Sequence, residues 1–138
     1  MMGAWSTGIF DNDTACDWAY GLKDVHDRAL IERTLDAVLD IGEDYLEAPE
    51  AEEALAAAET LARLLGRGGV RNAYTESVDA WVAAHPGRPS PELLDKARRA
   101  VARVLGADSE LRELWEDSDD ADAWRQSVED LQLRLRAE

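Results

Sequence analysis

At 138 residues the chain has the length of one domain and can bury roughly two thirds of the surface that its unfolded form exposes. Hydrophobic residues make up 46% and charged residues 33%, enough apolar material for a core, which excludes compositional disorder. Acidic residues outnumber basic ones 30 to 15, and the resulting net charge of −15 excludes non-specific attraction to nucleic acid or to an anionic membrane. A charged partner is therefore expected to be a basic protein.

Residues 3–11 carry Gly3 and Gly8 among Trp5, Ile9 and Phe10 without a helical period, which predicts an ordered N-terminal loop. Asp11 or Asn12 offers an N-cap, and Ala15, Trp18, Ala19 and Leu22 follow at helical spacing, predicting a helix over about residues 12–23. With Asp11 as the cap, Phe10 would pack back on Ala15. A second helix should begin near Asp27, with Leu30, Ile31, Leu35, Val38 and Leu39 on its inner stripe and Gly42 beyond its end. Pro49 suits the first turn of a third helix, whose buried stripe is Ala51, Leu55, Ala58, Leu61, Ala62 and Leu65 before Gly66. Its alanines permit a close helix neighbour.

The glycines at 66, 68 and 69 read as an internal loop, because neither half of the chain is long enough for a comfortable core. Tyr74, Val78, Trp81 and Val82 mark a fourth helix that stops near His85, ahead of Pro86, Gly87 and Pro89. Ser90 caps a fifth with Pro91 at its first position and Leu94, Ala97, Val101, Val104 and Leu105 as its apolar face. Ser109 caps a short segment holding Leu111, Leu114 and Trp115. The last helix starts near Asp119 or Asp120, with Ala121, Trp124, Val128, Leu131 and Leu135 inward and Arg134 and Arg136 at the end that favours cations. No segment alternates with strand period. The expectation is an all-α, compact single-domain bundle of six or seven helices spanning residues 1–138.

No window approaches the ~18 to 20 apolar residues that span a bilayer, and no secretory signal pattern opens the chain, so a cytoplasmic location is expected. The single cysteine, Cys16, fits a reducing compartment.

The opening Trp5, Gly8, Phe10, Asn12, Asp13 and Ala15 spell W-x-x-G-x-F-x-N-D-x-A. An alanine-rich stretch from Leu46 to Ala54 and a tail from Ser109 to Glu116 accompany it. In all three the chain resembles the bacterial family catalogued as domain of unknown function 4259, over nearly its whole length. Ser6 stands where that family's usual glycine is expected. The resemblance implies a compact helical bacterial protein and carries no activity with it.

The most distinctive stretch is the N-terminal motif, with Trp5, Phe10, Asp11, Asn12, Asp13, Asp17 and Trp18 compressed into few residues. Its oxygen groups suit a hard divalent cation, which gives the alternative function, a carboxylate-based metal site with hydrolytic or metal-dependent activity. The calcium-loop template needs an oxygen ligand and then glycine where this chain has Ala15 and Cys16, so helix capping and core closure explain the segment better and no metal or cofactor is expected. Asp117, Asp119, Asp120 and Asp122 likewise read as capping of the last helix. Asp11, Asp13 and Asp17 around Cys16 oppose a thiolate, and neither His26 nor His85 stands at zinc spacing.

Residues 1–66 hold 4 basic and 15 acidic side chains, against 11 and 15 in residues 67–138. Within the second half, Arg88, Lys96, Arg98, Arg99 and Arg103 make a basic patch, read here as a solvated helix face in preference to one that docks on the acidic half. Glu32, Asp36 and Asp40 repeat every four residues along one outward strip, which Glu43, Asp44 and Glu47 continue. No nucleophile-base pair, phosphate loop or complete metal site is present in the pattern. The preferred reading is a non-enzymatic binding module, of inhibitor or immunity type, covering a basic partner with these six carboxylates.

Overall fold

Ten consecutive residues, from Ala54 to Arg63, are buried, and this run sets the architecture. The computed structural model describes residues 8–25, 27–69 and 71–136. Among them the chain forms seven α-helices, α1 (Asp13–Leu22), α2 (Ala29–Leu39), α3 (Ala48–Leu64), α4 (Glu76–Ala84), α5 (Pro91–Leu105), α6 (Glu110–Glu116) and α7 (Ala121–Arg134), with a 3-10 turn at Ala73–Thr75 before α4. The described residues contain no β-strand. The fold is the all-α one expected; of the expected N-terminal loop, residues 1–7 and with them Trp5 lie outside the described residues.

Helix α3 is central and packs against each of the other six helices. A helix surrounded on all sides must be small and apolar all round, and Ala51, Ala54, Ala56, Ala57, Ala58 and Ala62 make it so. The single stripe read from the sequence was therefore too narrow: Ala54, Ala56 and Ala57 are as buried as Leu55 and Leu61. Helices α2 and α5 pack on α3 and on each other, α1 and α4 pair beside it, and α6 and α7 meet on another flank. One hydrophobic cluster takes in residues from Phe10 to Leu135.

Helix ends follow local chemistry. Asn12, not Asp11, caps α1, its Oδ1 accepting the Ala15 N–H at 2.7 Å, so the proposed pairing of Phe10 with Ala15 across an Asp11 cap gives way to burial of Phe10 in the core. Helix α3 ends on Gly66 at φ +78°, where Gly66 N–H donates to the Arg63 carbonyl (3.0 Å) and Arg67 N–H to that of Ala62 (2.9 Å), a left-handed closure that glycine adopts without strain. Ser90 caps α5 through the Leu93 N–H (3.1 Å). The Asp120 side chain makes no cap bond to α7. Instead Ser118 Oγ accepts the Asp120 N–H (3.2 Å), which corrects the expected capping role of that acidic cluster. Tyr74 is half-exposed, because the segment that was expected to open the fourth helix closes a tighter 3-10 turn.

Indole rings join the helices. Trp18 Nε1–H donates to Thr34 Oγ1 at 2.9 Å, linking α1 to α2, and the same hydroxyl donates to the Leu30 carbonyl (2.7 Å). Trp81 Nε1–H donates to the Val25 carbonyl (3.0 Å), and Trp115 of α6 stacks with Trp124 of α7 at 6.2 Å between centroids. Trp18→Ala should destabilise the fold by about 3 to 5 kcal/mol in chemical denaturation, since the indole is buried and the void falls between two helices. An unchanged denaturation midpoint would contradict that packing.

Candidate functional site

Leu46 and Ser109 form an isolated parallel bridge: Leu46 N–H donates to the Asp108 carbonyl and Glu110 N–H to the Leu46 carbonyl, each at 2.8 Å. Asp108 turns its carbonyl toward Leu46 from a left-handed conformation (φ 57°), one that Asp tolerates better than most residues. The bridge sets two acidic segments side by side. Asp40, Glu43, Asp44 and Glu47 lie on one, and Asp108, Glu110, Glu113 and Glu116 on the other, with Arg112 the one basic residue in either stretch. Glu110 Oε1 accepts the Ala48 N–H at 2.7 Å, putting negative charge at the N-terminus of α3, where the helix dipole favours it.

Tyr45 stands between these segments, 48% exposed, and its hydroxyl donates to Glu113 Oε1 at 2.9 Å. The hydrogen bond to Glu113, with lesser contributions from desolvation and from the charges of Glu113, Glu110 and Asp108, pushes the phenol up to about 12. A shallow depression of about 260 Å³ adjoins it, lined by Gly106 to Ser109, Arg112, Glu113 and Glu116.

Further back along α2 the acidic strip is partly engaged. Lys96 of α5 reaches across to Glu32 (2.8 Å) and Asp36 (3.0 Å), and these two carboxylates raise its pKa. Arg103 donates to the carbonyls of Gly42 (3.0 Å), Asp44 (2.6 Å) and Ala107 (2.8 Å). Lys96 and Arg103 of the basic patch thus dock on the acidic half of the same chain, which corrects the solvated-face reading for these two, while Arg98 turns to the Leu135 carbonyl and Arg88 and Arg99 stay exposed. Asp40, Glu43, Asp44 and Glu47 stay exposed.

The N-terminal candidates serve separate structural ends. Asp11 closes a turn by accepting the Gly8 N–H (3.0 Å) and donating its own N–H to the Gly8 carbonyl (3.1 Å), and a Cβ at Gly8 would collide with that carboxylate. Phe10 and Trp18 are buried, Asn12 is the helix cap, and Asp13 and Asp17 are exposed on α1. Among the described residues no group of three or more His, Cys, Asp or Glu side chains is arranged to hold a metal ion. The Cys16 thiol donates to the Phe10 carbonyl (3.2 Å), and burial, followed by Asp13, Asp17 and Asp11, pushes its pKa up, away from a reactive thiolate. His85 stacks on Trp81 (4.5 Å between centroids), and His26 lies outside the described residues.

The sequence reading missed a buried ionic network. Glu59, on central α3, is only 2% exposed, and its carboxylate accepts from Arg63 Nε (3.1 Å), Gly69 N–H (3.0 Å) and both terminal nitrogens of Arg134 (2.9 and 2.8 Å). Arg63 continues to Asp79 of α4 at 2.5 Å, and Thr75 Oγ1 donates to the same carboxyl group (2.8 Å). Arg134 also reaches Asp130 (2.8 Å) and the Arg67 carbonyl (3.0 Å). Burial alone would lower the Arg134 pKa, but Glu59 and Asp130 outweigh it and raise the pKa, so the guanidinium stays charged. The sequence signal was Glu59 and Arg63 at a four-residue spacing inside a run that is otherwise alanine, leucine and threonine. Beside this network, between the 8–11 turn, α3, the 69–75 segment and α7, lies a cavity of about 210 Å³.

The family model described as Domain of unknown function (DUF4259) matches residues 3–127, and the chain belongs to that family. No curated protein and no solved structure matches the chain. No helix among the described residues is long and apolar enough to cross a membrane.

Because Glu113 holds the Tyr45 phenol in its neutral form, the stabilising effect of that bond is present below pH 10 and is lost as pH rises through about 12. Spectrophotometric titration compared with a Tyr45→Phe reference should place this phenol near 12, and Glu113→Ala should bring it down toward 10. A wild-type midpoint near 10 would show that the bond does not persist in solution.

Proposed function

We propose that this chain is a non-enzymatic binding module that covers the basic surface of another protein with the acidic face around Tyr45. The observation that carries the reading is the Leu46–Ser109 bridge, which holds eight carboxylates beside an exposed aromatic ring. Charged rims steer association and select partners, while the energy concentrates in a few aromatic or arginine anchors. Tyr45 has the character of such an anchor: exposed, oriented by Glu113 and next to a depression that suits a basic side chain. Asp40, Glu43, Asp44 and Glu47 supply the steering charge. Glu32 and Asp36, already holding Lys96, contribute less than the strip pattern suggests. An inhibitor or immunity role in a bacterial cytoplasm is the biological form that fits this chemistry.

The test is affinity capture from the native host with the wild-type chain, with Tyr45→Ala and with a joint Asp40→Lys, Glu43→Lys, Glu47→Lys variant. All three positions are exposed, so thermal melts should change little. The expected outcome is a basic partner whose association rate falls steeply with salt for wild type, falls less for the charge variant, and whose dissociation speeds up for Tyr45→Ala. Partner capture and salt dependence unchanged in both variants would remove this face from the interaction.

A further inference from the structure

We infer that the groove along α4 is the interface of a homodimer, in which the α4 helices of two copies of this chain cross antiparallel about a two-fold axis near Ala80, independently of the Tyr45 face. Ser77, Ala80 and Ala84 line a shallow depression of about 390 Å³ beside the stacked Trp81 and His85 rings, and a second of about 360 Å³ continues it past the same two rings to Pro86. Two exposed tyrosines stand at its borders: Tyr20, 65% exposed, whose ring carries the Lys23 ammonium at 4.1 Å, and Tyr74, two residues before Glu76. An exposed apolar face with aromatic borders has the composition of a protein interface.

Charge selects a second copy as the occupant. The charged residues lining the two depressions are Lys23, Asp27, Arg28 and Glu76, two of each sign, so this face is locally neutral on a chain of net charge −15. Two such chains repel one another through their acidic surfaces and can approach at a neutral one. Lys23 and Glu76 are exposed and make no ion pair among the described residues, and their placement is reciprocal. Asp11, ahead of α1, shares a cavity with Thr75, ahead of α4, and the Val25 carbonyl, beyond α1, accepts from Trp81, so the two helices run in the same direction. Lys23 therefore follows α1 at the C-terminal half of α4, whereas Glu76 opens α4, about 12 Å from Ala84. An antiparallel copy sets its Glu76 beside the Lys23 of the first, and two-fold symmetry makes that pair twice.

The experiment is sedimentation equilibrium of the full chain at physiological ionic strength, which screens the repulsion between copies. Lys23→Glu, Glu76→Lys, the double swap, Ala80→Arg and Tyr45→Ala accompany wild type, with thermal melts to confirm that each is folded; all five positions are exposed. The expected result is a reversible monomer–dimer equilibrium for wild type. Each single reversal places like charges together twice per dimer and should weaken association about tenfold or more. Glu76→Lys also reduces the overall repulsion between copies, so a loss there cannot come from net charge. The double swap leaves the net charge unchanged and should restore the dimer, Ala80→Arg should abolish it, and Tyr45→Ala should leave it intact. A monomer at every concentration up to about 1 mM, a dimer unaffected by Ala80→Arg, a double swap that fails to restore association, or a dimer dissociated by Tyr45→Ala would overturn the inference.

Discussion

A carboxylate buried on the central helix constrains everything packed around it. Removing Glu59 from water costs several kcal/mol, on the order of what a small domain has as its whole stability margin, unless charge and hydrogen bonds offset it. Four donors do so, and they come from α3 itself, from the loop after it and from α7. The alanines that let six helices approach α3 leave little side-chain bulk to define their positions, and the ionic network restores that definition on one side. It fixes the register of α7, and through Arg63 and Asp79 that of α4. Arg67 and Arg98 add to the same end by donating to the carbonyls of Arg136 (2.5 Å) and Leu135 (2.9 Å).

The same chain spends its few basic residues sparingly. Arg63 and Arg134 neutralise the interior, Lys96 spans Glu32 and Asp36, and Arg103 fastens the loop after α2 through backbone carbonyls. Once these are assigned, Asp40, Glu43, Asp44, Glu47 and Asp108 remain exposed and without an ion pair among the described residues on the two segments joined by the Leu46–Ser109 bridge. A net charge evenly spread would only oppose aggregation; one gathered beside an aromatic ring gives direction to an encounter. The recognition reading thus rests on the distribution of charge, which depends on where the arginines are held.

Much of this was legible before any coordinates. Pro49 and Pro91 in first turns, Ser90 and Ser109 as caps and Gly66 at a helix end are local signals, and local signals survive tertiary context. The misses share a cause. That Ala54, Ala56 and Ala57 are buried with the stripe follows from α3 having neighbours on every side, and periodicity along one helix does not count its neighbours. Arg134 was assigned to the helix dipole because Glu59 is 75 residues away in sequence. The acidic residues themselves were visible, but the bridge that sets residues 40–47 beside 108–116 is a long-range pairing with no strand pattern to announce it.

The central claim, that Glu59 and Arg134 act as a coupled buried pair joining α7 to α3, is tested most directly by a double-mutant cycle. Glu59→Gln, Arg134→Met and the double variant would be compared with wild type by urea denaturation at pH 7. Each single change strands a buried partner, so each should cost several kcal/mol, and the double variant should cost much less than their sum, with a coupling on the order of 1 to 3 kcal/mol. Additive losses, with a coupling near zero, would contradict the account and leave the alanine packing of α3 to hold the bundle alone.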